Sequence, residues 1–297
     1  LTTAFRRKLF ASLILTAWSV LLTALTGILG GVPLRGLRLA MGPTGFWALT
    51  IVAAAGLAIA NWWMLALLYL SLVLVIGLFS ELEEHGFSLV AGGAWSVVIT
   101  TLMLGGGFAF WVSHEGSSWQ SVLTGKVENY LASIPGWTDK VGIEAKDLLL
   151  QVPSLIVVVL TLGLFMGLLF QRRMAVLNGG HRGPIHHLNR FAVPDAFIWI
   201  FILSLAGTFL AKGGWIQPLA INALNITAVV LFLQGLAVVA SLFEHFKVGW
   251  LWQMLLLLIL ITQLFILVSL FGLVDYWMDF RSRLTKRAEE SNRERKI

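Results

Sequence analysis

The chain contains no cysteine. That excludes disulfides and thiolate metal sites, and it leaves no thiol nucleophile for covalent catalysis. Charge is also scarce: only 12% of residues are Asp, Glu, Lys or Arg, and almost none falls inside the long apolar runs. A proton pump or voltage sensor needs carboxylates or arginines within its spans, so this scarcity argues against both. The sequence has no GxSxG elbow, no HExxH, no P-loop and no paired-aspartate isoprenoid motif. The expectation is a protein that is not an enzyme and uses no cofactor and no resident metal.

What is present is hydrocarbon. Apolar residues make up 58% of the chain and the mean hydropathy is +0.86. An uncharged run of about 18 or more residues is long enough to cross a bilayer as a helix. Barrel strands would alternate apolar and polar residues; runs such as 149–170 and 250–274 are continuous instead. Backbone groups in lipid must be satisfied internally, so these runs are helices. The fold class expected is an all-α, polytopic transmembrane bundle of about eight spans, near 9–30, 45–60, 62–80, 87–112, 149–170, 195–212, 219–243 and 249–275. Arg6-Arg7-Lys8 before the first run marks a retained signal anchor, because that run is too long for a cleaved signal peptide. Asn61 alone separates the second and third spans, as either a tight hairpin or one broken helix. The stretch 32–44, with Pro33, Arg35, Arg38, Gly42 and Pro43, reads as an interfacial elbow, with a re-entrant segment as the sharper alternative. Most of the 13 Trp residues fall near span ends, as in an interfacial belt.

The organisation expected is a four-span part over 1–112, an amphipathic polar connector over 113–148, a second four-span part over 149–280 and a charged cytoplasmic tail over 281–297. In the connector, Trp119, Val122, Leu123, Val127, Tyr130 and Leu131 recur at helical spacing and fit a helix lying on the membrane. The formal net charge of +6 reads as the positive-inside signal of a multi-pass inner (plasma) membrane protein with both termini cytoplasmic, not as nucleic-acid binding. One conflict stands out. With eight spans, the strongly basic loop 171–190 lands outside.

Candidate sites follow from polar groups at depth. Asn222, Asn225, Thr227 and Gln234 in the seventh span, with Gln253 and Gln263 in the eighth, form a neutral set able to bind a small solute or to bond neighbouring helices. Arg172, Arg173, Arg182 and Arg190 suit an anion or lipid headgroup, since guanidinium forks match phosphate. His181, His186 and His187 lack a carboxylate and helical-face spacing, so no metal is expected there. Gly163 and Gly167 form a GxxxG for close helix packing. Glu81, Glu83, Glu84 and His85 read as a solvated acidic turn.

Several segments of the C-terminal half carry a resemblance. They are Phe191-Ala-Val-Pro194-Asp195 leading to Trp199, Asn222-Ala-Leu-Asn225, Leu233-Gln234-Gly235-Leu-Ala-Val-Val239, and Gly272-Leu-Val-Asp275-Tyr-Trp277-Met-Asp279-Phe280-Arg281. From about Pro153 to Arg283 the chain resembles the YybS-like family of bacterial membrane proteins of unknown function. That family is similar in layout to the substrate-capturing components of energy-coupling-factor vitamin transporters, which dock their partner through an AxxxA surface on the first helix. Here Ser19, Thr23 and Gly27 are the nearest substitute for that surface. The resemblance implies a solute-binding subunit that needs an energising partner. The alternative is a non-catalytic scaffold that assembles with itself or with another membrane protein. Partners expected are the lipid bilayer, a membrane protein and a small molecule of unknown identity, with no nucleic acid.

Overall fold

The computed structural model describes residues 3–114, 123–125, 127–129, 148–177, 188, 191–194, 197–211 and 214–278. Among these there is no strand, and nine helices run in order: α1 (Thr3–Thr26), α2 (Gly31–Ile59), α3 (Trp63–Glu84), α4 (Leu89–His114), α5 (Val152–Leu177), α6 (Phe197–Leu210), α7 (Ile216–His245), α8 (Trp250–Gln263) and α9 (Phe265–Met278). The all-α polytopic bundle stands. Six helices are long and apolar enough to cross a membrane, namely α1 to α5 and α7, while α6 and α9 are shorter apolar helices. The expected connector helix lies outside the described residues except for 123–125 and 127–129, which are helical. The chain divides into two compact units, Leu1–His186 and His187–Ile297.

In the first unit the stretch expected to be an interfacial elbow is instead a buried half-helix, and this is a correction. Thr26 ends α1, its hydroxyl accepting the Leu29 N–H at 3.0 Å, and Gly27 turns the chain at φ 71°. Pro33 sits in the first turn of α2, where a missing N–H costs nothing. Val32, Leu34 and Leu37 then bury the arm 31–41 against α3 and α5. Gly42, at φ 74° and ψ −175°, breaks the helix with a conformation that favours glycine. Pro43 restarts it with a preset φ.

The direction of that first arm follows from its neighbours. Gly30 lies against Ser19 and Thr23, so the arm folds back antiparallel to α1. Gly31 then packs on Gly163, Gly36 on Met174, and Arg35 reaches Ser80 and Gln171. The arm therefore runs alongside the C-terminal halves of α3 and α5. After the break the second arm (43–59) returns beside α3, with Trp47 against Gly77. Asn61 (φ 63°) closes a tight α2–α3 hairpin, with the Trp62 N–H donating to the Leu57 carbonyl at 2.9 Å. The half-helix thus adds one reversal that the span list lacks. The N-terminus of α1 and the C-termini of α3 and α5 share one face of this unit. His114 of α4 and Val152 of α5 lie at the opposite face.

In the second unit, α6 and α7 form an antiparallel pair with Gly207 against Ala220. α9 packs parallel to α7: Ser269 donates to the Ala228 carbonyl at 3.2 Å, and Gly272 lies on the Leu231 carbonyl and the Gly235 amide. The expected continuous eighth span is broken at Leu264 (φ −116°, ψ 25°) into α8 and α9. That break lets α9 run in the same direction as α7.

Candidate functional site

The polar centre of the first unit is built on the half-helix. Arg35 and Arg38 are three residues apart and so share a helical face. That face meets the acidic end of α3. Arg35 is 1% exposed. Its Nε donates to Gln171 Oε1 at 3.2 Å and its Nη1 to Ser80 Oγ at 2.7 Å. Its Nη2 donates to both carboxylate oxygens of Glu83, at 2.9 and 2.6 Å. The guanidinium also lies over the Phe79 ring, 5.4 Å from its centre. Glu83 is itself buried, its side chain 6% exposed. Arg38, 4% exposed, donates from Nη2 to Glu81 at 3.1 Å and to Glu84 at 2.9 Å, while its Nε is buried without a hydrogen-bond partner.

This corrects the reading of Glu83 as part of a solvated turn, while Glu81 and Glu84 keep side-chain exposures of 35% and 54% as they pair with Arg38. A buried charge is tolerated when it is paired and its remaining donors are bonded. All three guanidinium nitrogens of Arg35 meet that condition. Close approach of the arm depends on glycine. A Cβ at Gly31 would collide with the Gly163 carbonyl oxygen, and one at Gly167 would lie 2.8 Å from the Gly31 carbonyl. The GxxxG of α5 is used inside the unit, where it seats the half-helix.

The six amides and hydroxyls expected to hold a solute lie on α7 and α8. Asn222 donates Nδ2 to the Pro218 carbonyl at 2.8 Å, and Thr227 donates to the Ala223 carbonyl at 2.8 Å, both within α7. Asn225 is half-buried on the same helix. Gln253 donates to the Val248 carbonyl at 2.9 Å, and Gln263 is exposed. Gln234 is different. It is 3% exposed; its Oε1 accepts the Val193 N–H at 3.3 Å, and its Nε2 makes a long contact of 3.5 Å with Asp275 Oδ2. It ties the segment that precedes α6 and the end of α9 to α7, with Asp275 also 3% exposed.

Arg172 and Arg173 lie within α5, while Arg182 and Arg190 fall outside the described residues. A groove of about 530 Å³ opens in the first unit between α1 and the α2–α3 hairpin. Leu13, Ala17, Ala24, Gly56, Trp62 and Leu65 line it, and none of the six expected solute ligands does. Ser19 and Thr23 are no docking surface. Both are buried, with Ser19 bonded to the Tyr69 hydroxyl at 3.2 Å and Thr23 against Gly30.

Arg35, Ser80, Glu83 and Gln171 were not among the expected site residues. The signal that points to them is the match between two arginines three apart on an otherwise apolar arm and three glutamates within four positions at the end of α3. No curated protein and no solved structure matches the chain. Its long apolar helices make it a multi-pass membrane protein of unknown activity. A family model matches residues 9–276, and the chain belongs to that family, the predicted membrane protein family DUF2232.

Proposed function

We propose that this protein is a solute-binding subunit of a membrane transporter, energised by a separate partner. The observation that carries the reading is the broken helix α2, whose buried first arm holds Arg35 against Glu83 inside an apolar bundle. Charged residues within membrane bundles mark substrate and ion pathways. Interrupted helices are the usual builders of transporter sites, because their freed ends and polar groups face the solute rather than lipid. The chain has no recognisable nucleotide motif of its own, so energy comes from another subunit. No catalytic step is assigned to it. Of the three features behind the scaffold alternative, the GxxxG, the amphipathic segment and the charged tail, the first is occupied within the unit, where Gly163 and Gly167 seat the half-helix.

Native mass spectrometry of gently extracted protein tests this reading. The expected result is a small polar adduct and a second polypeptide on the wild-type chain. A bare chain with neither, across several mild detergents, overturns it.

The reading places the protein in the plasma membrane with its N-terminus in the cytoplasm. Counting Lys and Arg in the first unit supports this. The half-helix puts the basic ends of α1 (Arg6, Arg7, Lys8) and α5 (Arg172, Arg173) at the same face as Arg35 and Arg38, while the sequence that joins α4 to α5 carries only Lys126, Lys140 and Lys146. The positive-inside bias is then strong, and the basic stretch after α5 no longer conflicts with it. The chain has no cysteine, so single-cysteine labelling is clean. Ser88 and Ser113, at opposite ends of α4, are both exposed. In intact cells, Ser113→Cys is expected to react with a membrane-impermeant maleimide and Ser88→Cys to be protected. The reverse pattern would invert the orientation.

A further inference from the structure

We infer that Arg38, with Glu81 and Glu84 beside it, binds the charged end of a free α-amino acid, which names the substrate class of the solute-binding reading above and rests on that reading. The two arginines of the half-helix are satisfied to different degrees. Each guanidinium nitrogen of Arg35 donates to a protein oxygen. Arg38 is different. Its Nη2 serves Glu81 Oε1 at 3.1 Å and Glu84 Oε1 at 2.9 Å, and its Nε is buried with no hydrogen-bond partner. Leaving a buried donor of a charged group unbonded is costly. Such an orphan calls for an acceptor from outside the chain, either a water or a solute.

The surroundings of Nε select the solute. Nε and Nη2 share one edge of the guanidinium, and such a fork grips a carboxylate through two parallel bonds. A lone anion arriving there meets two carboxylates already at Nη2 and is repelled. A lone cation leaves Nε unmet. A solute with both charges answers both needs: its carboxylate bonds Nε, and its ammonium bonds Glu81 and Glu84. Donor and acceptors meet at a single guanidinium edge, so the two charges of the solute must be close together, as they are in an α-amino acid. Arg38 also lies in the last turn of the half-helix before the break at Gly42. A helix C-terminus carries partial negative charge and favours an ammonium. Access comes from the end of α3, where the Glu81 and Glu84 side chains stay partly exposed. The space beside Gly42 is open as well, with nothing within 4 Å of the Cβ it lacks.

The test uses the full chain in mild detergent and follows its melting temperature with each proteinogenic amino acid added in turn at millimolar concentration. At least one is expected to raise the melting temperature by about 4 °C or more. For that amino acid, the amine lacking the carboxylate and the acid lacking the amino group are expected to give no rise. Glu84→Gln removes a charge from a side chain at the surface, so its fold is retained. Arg38→Lys keeps the charge and loses the fork. Each is expected to weaken the apparent affinity, read from the dose dependence of melting, by at least about tenfold. If both variants respond like the wild type, or if the amine or the acid acts as well as the amino acid, Nε holds only water and the assignment is overturned. Native mass spectrometry separates this idea from the broader one. A polar adduct that is not an amino acid, with no melting response to any amino acid, rejects the substrate class alone. No adduct and no response reject the solute-binding reading with it.

Discussion

Replacing Arg35 by methionine is expected to lower the melting temperature of the detergent-solubilised protein more than any other single exchange at the ion-pair centre. The substitution keeps the apolar stem and removes the charge. Glu83 is then left with a buried carboxylate whose main partner is gone, and Ser80 and Gln171 each lose a donor. Removing one member of a buried pair costs about 3–5 kcal/mol, because the survivor remains desolvated and unpaired. A native domain has only about 5–15 kcal/mol in hand, so much of the first unit's stability is at stake. The double variant Arg35→Met/Glu83→Gln tests the cause. It removes both charges, and a buried pair replaced by neutral groups is often no less stable than the original. Recovery of most of the lost melting temperature in the double variant is expected. If Arg35→Met melts like the wild type, the half-helix is not held by this pair.

The second large effect is expected from glycine. Gly31→Ala places a methyl against the Gly163 carbonyl, and Gly272→Ala places one against the Leu231 carbonyl. In both cases the obstacle is backbone, which cannot rotate aside as a side chain can. The helices must separate, and the dispersion contacts that hold membrane helices together are lost along the whole seam. Overpacking of this kind costs about 1–3 kcal/mol or more. Gly56→Ala is the control. Nothing lies within 4 Å of the Cβ it would add, and alanine favours a helix over glycine by about 1 kcal/mol. Melting curves should therefore move in opposite directions. Equal stability of Gly31→Ala and Gly56→Ala would sink the close-packing account of the half-helix.

The bundle was legible in the sequence because lipid imposes a simple rule. A continuous apolar run has only one way to satisfy its backbone, so helices such as α3 and α5 announce themselves. The family assignment is consistent with the resemblance drawn in the C-terminal half, which is also to membrane proteins of unknown function. The half-helix was not legible by that rule. Its eleven residues are too few to cross, and its arginines suggest water. Only the carboxylates of α3, more than 40 positions away, make its burial possible. Long-range pairing of this kind leaves no periodic trace. The same limit hid the break at Leu264, where no proline or glycine interrupts the run. It also hid the local bonds of Asn222, Thr227 and Gln253, each of which donates to a backbone carbonyl four or five residues before it. Gln234 stood in the same list, yet it reaches Asp275 on another helix.

The order of synthesis gives the half-helix one more consequence. Residues 31–41 leave the ribosome before Glu83 and long before Gln171 exist. Two arginines on a stretch too short to cross have no reason to enter hydrocarbon alone. During translation this piece must wait at the water boundary, beside a first helix already threaded. Only when the later helices arrive, bringing their carboxylates and a glycine seat, does it sink into place. This early segment is therefore expected to be seated only after α5 arrives, and a chain truncated before α5 should leave it open to protease.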